Sequence, residues 1–293
     1  MERFLQYLLT GLSAGSLYAL VSLGIVLIYS STRVVNFAHG DVATFGTFVA
    51  FALLSARSSF AIAFPAALAV GAAVAVVFYF GVLRPAQRRG ATMLSQVILT
   101  LGLSLILQGV ALYVWGADPD RLPFPLSDSA SWKIGSVFVS QLSAGTLAVG
   151  LVVALLLRQL VLKTRLGLAM RGTSENLAAA QTLGIPTRGI LAFSWAIASV
   201  LAVLAGLFLA PALMLDPFFM SDAFLKGLAA SVLGGLNSLP GAFVGGLILG
   251  VAESLAGAYV SIEFKHTLAF LVIIAVLLFR PEGLLGKEFK ERV

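Results

Sequence analysis

The sequence predicts an all-α integral membrane protein, a polytopic bundle of about eight or nine transmembrane helices. Composition is the first observation behind this prediction. Of the 293 residues, 59% are hydrophobic and only 11% are charged, whereas a soluble protein carries about 25% charged residues. The mean hydropathy of +1.01 agrees. Such a chain cannot cover a globular surface with polar groups, and the absence of cysteine excludes a disulfide scaffold.

The second observation is the length of the uncharged stretches. A helix needs about 20 apolar residues to cross a bilayer, and a barrel strand would show alternation instead of a continuous apolar run. Two stretches, 42–56 and 266–279, are short but apolar enough to cross beside neighbouring helices. A turn signal at 237–241 divides one longer stretch into two helices, which gives nine crossings, or eight if 42–56 does not cross. The six long stretches are 4–32, 58–83, 90–117, 134–157, 189–215 and 227–252.

Basic residues predict the orientation, because lysine and arginine accumulate in cytoplasmic loops. They concentrate in the loops 84–89 and about 158–189 and in the tail after 280, which we place in the cytoplasm. Counting crossings backward places the N-terminus outside. Residues 4–29 are long enough to remain as the first helix instead of a cleaved signal. We expect a single transmembrane domain over 1–293.

The sequence offers little for covalent chemistry. It has no cysteine, and its two histidines, His39 and His266, lack the neighbours of a zinc site. The nearest match to a phosphate-binding loop, at 286–288, lacks its glycine spacing and its Ser or Thr. We therefore expect neither an enzyme nor a cofactor or metal site. The loop placement of the basic residues indicates a lipid bilayer as their partner and no nucleic acid.

Five polar residues are candidates for a translocation path or gate: Asn36, His39, Asp41, Asn237 and Glu253. Charged groups in apolar surroundings are costly, so they are functional candidates. Asn237 repeats the spacing of Asn36, since each precedes a glycine by four residues. The alternative interpretations are a capped turn for the first segment, a helix N-terminal residue for Asp41, and an interfacial residue for Glu253.

Glycines recur at the spacing that lets membrane helices approach closely. They could form the seam of a translocation path, a subunit interface or ordinary packing within the chain. An earlier pair, Gly11 and Gly15, stands isolated in the sequence. The later glycines are Gly241, Gly245, Gly246 and Gly250.

The loop 158–189 is longer than a simple connection requires. Thr173 or Ser174 can cap a short helix that continues through 177–183. Gly184 should end that helix with a positive φ. Such a helix suits docking into a groove of a partner, where Ala179 and Ala180 would be buried. The alternative is a helix lying on the membrane surface.

At this loop the sequence resembles the permease subunits of ATP-binding-cassette (ABC) importers, and more narrowly the branched-chain amino acid permeases of the LivH type. It departs from them at Asn176-Leu177, where members often carry Asn-Pro-Glu. The stretches that carry the resemblance are Met170-Arg171, Glu175-Asn176, Ala178-Ala179-Ala180, Leu183-Gly184-Ile185, Gly15–Leu20, Val35–Asp41, Leu233–Ala242 and Phe279–Gly286.

The resemblance implies a multi-subunit importer. Cytoplasmic ATPase subunits would supply the energy, a second, paralogous permease subunit would complete the path, and an external solute-binding protein would deliver a small amino acid. It also implies that the segment 178–184 is a coupling helix. The residues it assigns to ATPase coupling are Arg171, Glu175, Ala178, Ala179 and Gly184.

Three alternatives remain open at this point. A permease for urea or short amides would resemble the same family. An ion-coupled secondary transporter would need intramembrane carboxylates, for which Asp41 and Glu253 are the candidates. A passive channel would need no partner ATPase.

Overall fold

The computed structural model describes residues 2–128, 130–135 and 137–286, and these are mostly helical. A π-helical turn, Tyr79–Leu83, joins the helices on either side of it without a break. The helices are α1 Glu2–Thr32, α2 His39–Ser55, α3 Phe60–Phe78, α4 Arg84–Arg88, α5 Met93–Trp115, α6 Gln141–Lys163, α7 Arg165–Glu175, α8 Leu177–Thr182, α9 Thr187–Leu209, α10 Met220–Gly234, α11 Leu239–Tyr259 and α12 Ile262–Phe279.

Within the described residues, six helical segments are long and apolar enough to cross a membrane. The predicted break in the stretch 227–252 is present, because α10 ends at Gly234 and α11 begins at Leu239. Three further apolar helices, α2, α10 and α12, are shorter, with 17, 15 and 18 residues. The six long segments are Glu2–Thr32, Phe60–Arg88, Met93–Trp115, Gln141–Lys163, Thr187–Leu209 and Leu239–Tyr259.

A short β-hairpin interrupts the helices and corrects the expectation of a purely helical chain. Strand β1, Ser131–Ile134, pairs antiparallel with β2, Val137–Ser140. Gly135 has φ 64°, a conformation that glycine adopts without steric cost. As a result α6 begins at Gln141 and not near 134, where the uncharged stretch begins.

The first helix lies at the centre of the bundle. Helix α1 packs along α11, and also contacts α9, α10 and α6. The seam with α11 is made of glycines, since a Cβ at Gly250 or Gly246 would collide with the backbone of α1 at Gly15 or Ala19. Close backbone approach of this kind is typical of small residues four apart. The late glycines thus serve packing within the chain, and the pair Gly11 and Gly15, isolated in the sequence, supplies the other half of that seam.

Hydrogen bonds define which loops share an end of the bundle. At one end, the hairpin end, the Gln6 side chain bonds to the backbone N–H and C=O of Phe138, both at 2.9 Å. The backbones of Asp120 and Leu215 also pair there. At the opposite end, the N–H groups of Leu284 and Leu285 donate to the carbonyls at the end of α10.

Helix α2 begins inside the bundle. After α1 ends at Thr32, the chain turns back at Arg33, which has φ 60°. His39, the first residue of α2, is fully buried, and its ring occupies the space beside Gly24, about two turns before the end of α1. The N-terminus of α2 therefore lies among α1, α5 and α10, away from both ends of the bundle.

Candidate functional site: two buried polar clusters and an exposed short helix

Asn36 shapes the turn that leads into α2. Its side-chain Oδ1 accepts from the N–H of Ala38 at 3.1 Å, and its carbonyl accepts from the N–H of His39 at 3.3 Å. The next N–H, of Phe37, donates to the hydroxyl of Thr100 on α5 at 3.2 Å. Asn36 is only 2% exposed. The geometry fits the turn interpretation, because a local side-chain bond satisfies buried backbone groups.

Asp41 forms the first buried polar cluster together with α5. The Gln108 amide donates to its Oδ1 at 2.8 Å and lies 3.4 Å from the Ser104 hydroxyl. Thr100, Ser104 and Gln108 follow one another at intervals of four, so they share one face of α5. This polar stripe was not predicted from the sequence, although its spacing within the uncharged stretch 90–117 could have identified it.

Glu253 belongs to a second, charged cluster. Its Oε1 accepts from the Lys226 ammonium at 2.6 Å, and the ammonium also pairs with Asp222 at 2.6 Å. Lys226 lies 5.5 Å from the centre of the Tyr18 ring, and Lys265 is 3.7 Å from the same carboxylate oxygen. Lys226 and Glu253 are 4% and 2% exposed, so this ion pair is buried.

Lys226 is a residue that sequence reasoning missed. Lys226 and Glu253 flank the uncharged stretch 227–252, and a helical hairpin folds its two ends toward each other. A helical side chain leans toward its own N-terminus, so Lys226 extends back past Asp222 to the level of Glu253. This position corrects the interfacial interpretation of Glu253.

Helix α10 separates the two clusters. The rings of Phe224 and Phe37 meet edge to face at 6.0 Å on the side of α2, while Lys226 lies on the side of α11. The hydroxyls of Ser22 and Ser231 lie 3.0 Å apart and tie α10 to α1. Of the five path candidates, Asn36, His39 and Asp41 lie together, and Glu253 lies across α10 from them.

Asn237 lies apart from both clusters. It lines a cavity of about 500 Å³ near the end of the bundle opposite the hairpin, between α1, α6, α7 and α11, together with Arg158 and Arg171. The structure therefore does not join Asn237 to Asn36, although the two share a spacing to a following glycine. No group of three or more metal-ligating side chains occurs in the described part of the chain, and the side chain of His266 lies outside it.

The short helix of the 158–189 loop is α8, and its cap differs from the prediction. The Asn176 side chain accepts from the N–H of Ala179 at 2.9 Å and caps α8. Thr173 and Ser174 instead belong to α7, since α7 continues to Glu175. Asparagine is a stronger N-cap than threonine. Gly184 has φ 78°, as expected for the residue that ends the helix.

One face of α8 is open and apolar. Ala178 and Ala179 are exposed, and Leu177 and Leu183 are 46% and 80% exposed. Ala180, in contrast, is 3% exposed because it packs within its own chain, which corrects the expectation that a partner would bury it. The remaining coupling candidates, Arg171 and Glu175, are exposed on α7, and Gly184 is exposed after α8.

These features define a multi-pass helical membrane protein with buried polar clusters between its helices and an exposed amphipathic segment, α7 and α8, at one end. The family model described as "Branched-chain amino acid transport system / permease component" matches residues 7–277. The chain belongs to this family.

Curated relatives match over nearly their full length. The high-affinity branched-chain amino acid transport system permease protein LivH of Escherichia coli (strain K12) is 34% identical over 99% of this chain and 98% of its own. Its counterpart BraD of Pseudomonas aeruginosa is 32% identical with the same coverage. Among solved structures, PsaBC from Streptococcus pneumoniae in complex with Fab has a similar fold, with TM-score 0.52, 18% identity, and coverage of 95% of this chain and 92% of that one.

Proposed function

We propose that this chain is the permease subunit of an ABC importer that moves branched-chain amino acids into the cell. The observation that carries the proposal is the end-to-end similarity to LivH and BraD, both described as branched-chain amino acid permeases. The chain itself carries out no hydrolysis, which separate ATPase subunits perform. The family match disfavours the alternatives of an amide permease, an ion-coupled transporter and a channel.

The whole chain, 1–293, acts as one transmembrane domain. Helices α2, α10 and α12 add to the six long spans, for eight or nine crossings. The N-terminus and the hairpin end face outward, and α7, α8 and the C-terminus face the cytoplasm. Arg158, Lys163 and Arg188 support this orientation, since all three lie near the end opposite the hairpin.

The translocation path runs past the N-terminal ends of two of the short helices, α2 and α10. Helices α2 and α10 contact each other, and both begin beside irregular segments. Discontinuous helices with internal N-termini are how many transporters form a site near the bilayer midplane. Asn36, His39 and Asp41 would line the path at α2. Glu253 would gate it from the far side of α10, and Asn237 from the turn before α11.

Helix α8 couples the permease to its ATPase. The proposal rests on the exposure of Leu177 and Leu183, one at each end of this short helix. Exposed apolar surface of this kind marks an interaction site, and a groove of a partner would bury both side chains. Arg171 and Glu175 on α7 would contribute polar contacts at the rim. Ala178 and Ala179 would permit close approach.

The other partners follow from the exposed faces. Helices α5 and α12 expose rows of apolar side chains that a second, paralogous permease subunit or lipid would cover, among them Leu105, Tyr113, Ile274 and Leu278. An external solute-binding protein would dock at the hairpin end. As the permease of such an importer, the protein would reside in a bacterial inner membrane.

The test of the importer is uptake of labelled leucine by the reconstituted complex, with the chain co-expressed with its partner subunits. Uptake should require both ATP and the ATPase subunits. Uptake that persists without ATP but follows a proton or sodium gradient would establish a secondary transporter instead. Uptake that only follows the leucine gradient would establish a channel. Labelled urea serves as the competing solute.

The matched variants Ala179→Trp and Ala180→Trp test whether α8 docks to the ATPase subunits. Ala179 is exposed, so tryptophan there should leave the chain folded but abolish co-purification of the ATPase subunits. Ala180 is buried, and overpacking costs about 1–3 kcal/mol, so tryptophan there should lower the thermal midpoint of the chain. Normal ATPase binding and stimulated hydrolysis in Ala179→Trp would remove α8 from the docking surface.

A further inference from the structure

The cavity beside α6 is amphipathic along its length. At the end of the bundle opposite the hairpin it is polar and basic, with Arg158 and Arg171 beside hydroxyl and amide groups of Ser30, Ser174 and Asn237. Toward the middle of the bundle its walls are apolar, formed by Leu23, Leu27, Leu151, Leu155 and Phe243.

The charged residues that line the cavity are all basic. The residues that line it include two arginines and no aspartate or glutamate. Neither arginine forms an ion pair within the described part of the chain, and both are exposed at the mouth. A complementary occupant carries negative charge at this end.

The dimensions fit one leaflet of a bilayer. The lining residues of α6 extend from Leu151 to Leu162, which is about 16 Å at 1.5 Å per residue. Half of the hydrocarbon core of a bilayer is about 15 Å thick. The side of the cavity is open, because Leu151, Leu155 and Leu162 are 52%, 47% and 49% exposed. An occupant can therefore enter sideways from the membrane.

We propose that this cavity binds one anionic phospholipid of the cytoplasmic leaflet. The acyl chain would fill the apolar part between α1, α6 and α11. The phosphate would contact the guanidinium group of Arg158, since arginine holds phosphate with paired donors, and Arg171 would add positive charge at the mouth of the cavity. Basic pockets between membrane helices on the cytoplasmic side suit acidic headgroups. The site goes beyond the proposed transport function and does not depend on the identity of the solute.

The experiment uses the complex purified with its partner subunits and native mass spectrometry of the bound lipid. Nanodiscs containing equal amounts of phosphatidylglycerol and phosphatidylcholine supply the two probes. The wild-type complex should retain phosphatidylglycerol in preference. Arg158→Gln should lower the ratio of retained phosphatidylglycerol to phosphatidylcholine about fivefold, the factor that corresponds to about 1 kcal/mol per basic residue near the surface. Arg88→Gln, an exposed arginine that does not line the cavity, is the control.

A second variant tests the apolar part. Ala154 lines the cavity, whereas Ala148 is exposed on the same helix outside it. Ala154→Phe should reduce the retained lipid with either headgroup at least severalfold, and Ala148→Phe should leave it unchanged. An unchanged headgroup ratio in Arg158→Gln, or unchanged retention in Ala154→Phe, would overturn the proposal. The proposal would also be overturned if a partner subunit covers the cavity in the assembled complex and no lipid binds in it.

Discussion

Among the described residues, the two buried carboxylates, Asp41 and Glu253, are held in different ways. Asp41 receives a hydrogen bond from the amide of Gln108, a partner that carries no charge. Glu253 is neutralised by Lys226, which also pairs with the exposed Asp222. The α10–α11 contact is thus an ion pair, and removal of either ion would leave the charge of the other uncompensated. The α2–α5 contact, in contrast, is a hydrogen bond that can persist when the Asp41 side chain is uncharged.

This difference indicates separate roles. A buried ion pair resists separation because each bare ion would meet a low-dielectric interior. A carboxylate with a neutral partner can exchange that partner for water or for a solute ammonium at lower cost. The α10–α11 contact therefore suits a gate that is held closed by its ion pair, and the α2–α5 contact is the better position for a group that meets the solute.

The largest expected effect breaks the ion pair. Lys226→Met should destabilise the protein by about 3–5 kcal/mol, since it removes the buried partner of Glu253, and the more distant Lys265, at 3.7 Å, is 44% exposed. The thermal midpoint of the purified protein measures this loss. The double variant Lys226→Met with Glu253→Leu is the control and should recover most of the stability, because two apolar side chains replace a pair. Equal midpoints for the single and double variants would show that the pair contributes no such coupling.

An intermediate effect is expected at α5. Gln108→Leu removes the amide that donates from α5 to the Asp41 side chain, and a buried polar group without its partner costs about 1–3 kcal/mol. The thermal midpoint should fall by less than in Lys226→Met. Leu105→Ala, an exposed position on the same helix, is the matched control. A fall as large as that of Lys226→Met would erase the distinction between the two contacts.

The smallest effect on stability is expected for Asp41→Asn. The amide can still hydrogen-bond to Gln108, so the midpoint should shift by less than about 1 kcal/mol in equivalent stability. Leucine uptake should nevertheless fall severalfold, because the charge that would meet a solute ammonium is gone. Wild-type uptake by this stable variant would leave Asp41 as a helix N-terminal residue and nothing more.

The sequence predicted the elements that depend on local chemistry. Apolar length identified the six long spans of the described residues, the Asn-Ser-Leu-Pro-Gly turn separated α10 from α11, and Gly184 ended α8 with a positive φ. These outcomes depend on a few neighbouring residues. The position of the Asn176 cap was missed, because α7 extends further than the pattern indicated.

Long-range partners could not be predicted in the same way. The pairing of Glu253 with Lys226 requires the relative depth of two packed helices, and that of Asp41 with Gln108 requires α2 to begin inside the bundle. The burial of Ala180 depends on how α8 rests on its own chain. Tertiary packing determines both pairings and the burial of Ala180, and the length of an uncharged stretch carries no information about tertiary packing.

The central position of α1 has a consequence for biosynthesis. Helix α1 leaves the ribosome well before α11, along which it packs, because α11 begins only at Leu239. At roughly 5–20 residues per second, α1 waits about 10–40 s for that neighbour. During this interval its glycine and serine face meets lipid or the insertion machinery. Maturation of this protein thus includes a late packing of α1 against α11, and a nascent chain truncated before α11 should be a substrate for membrane proteases.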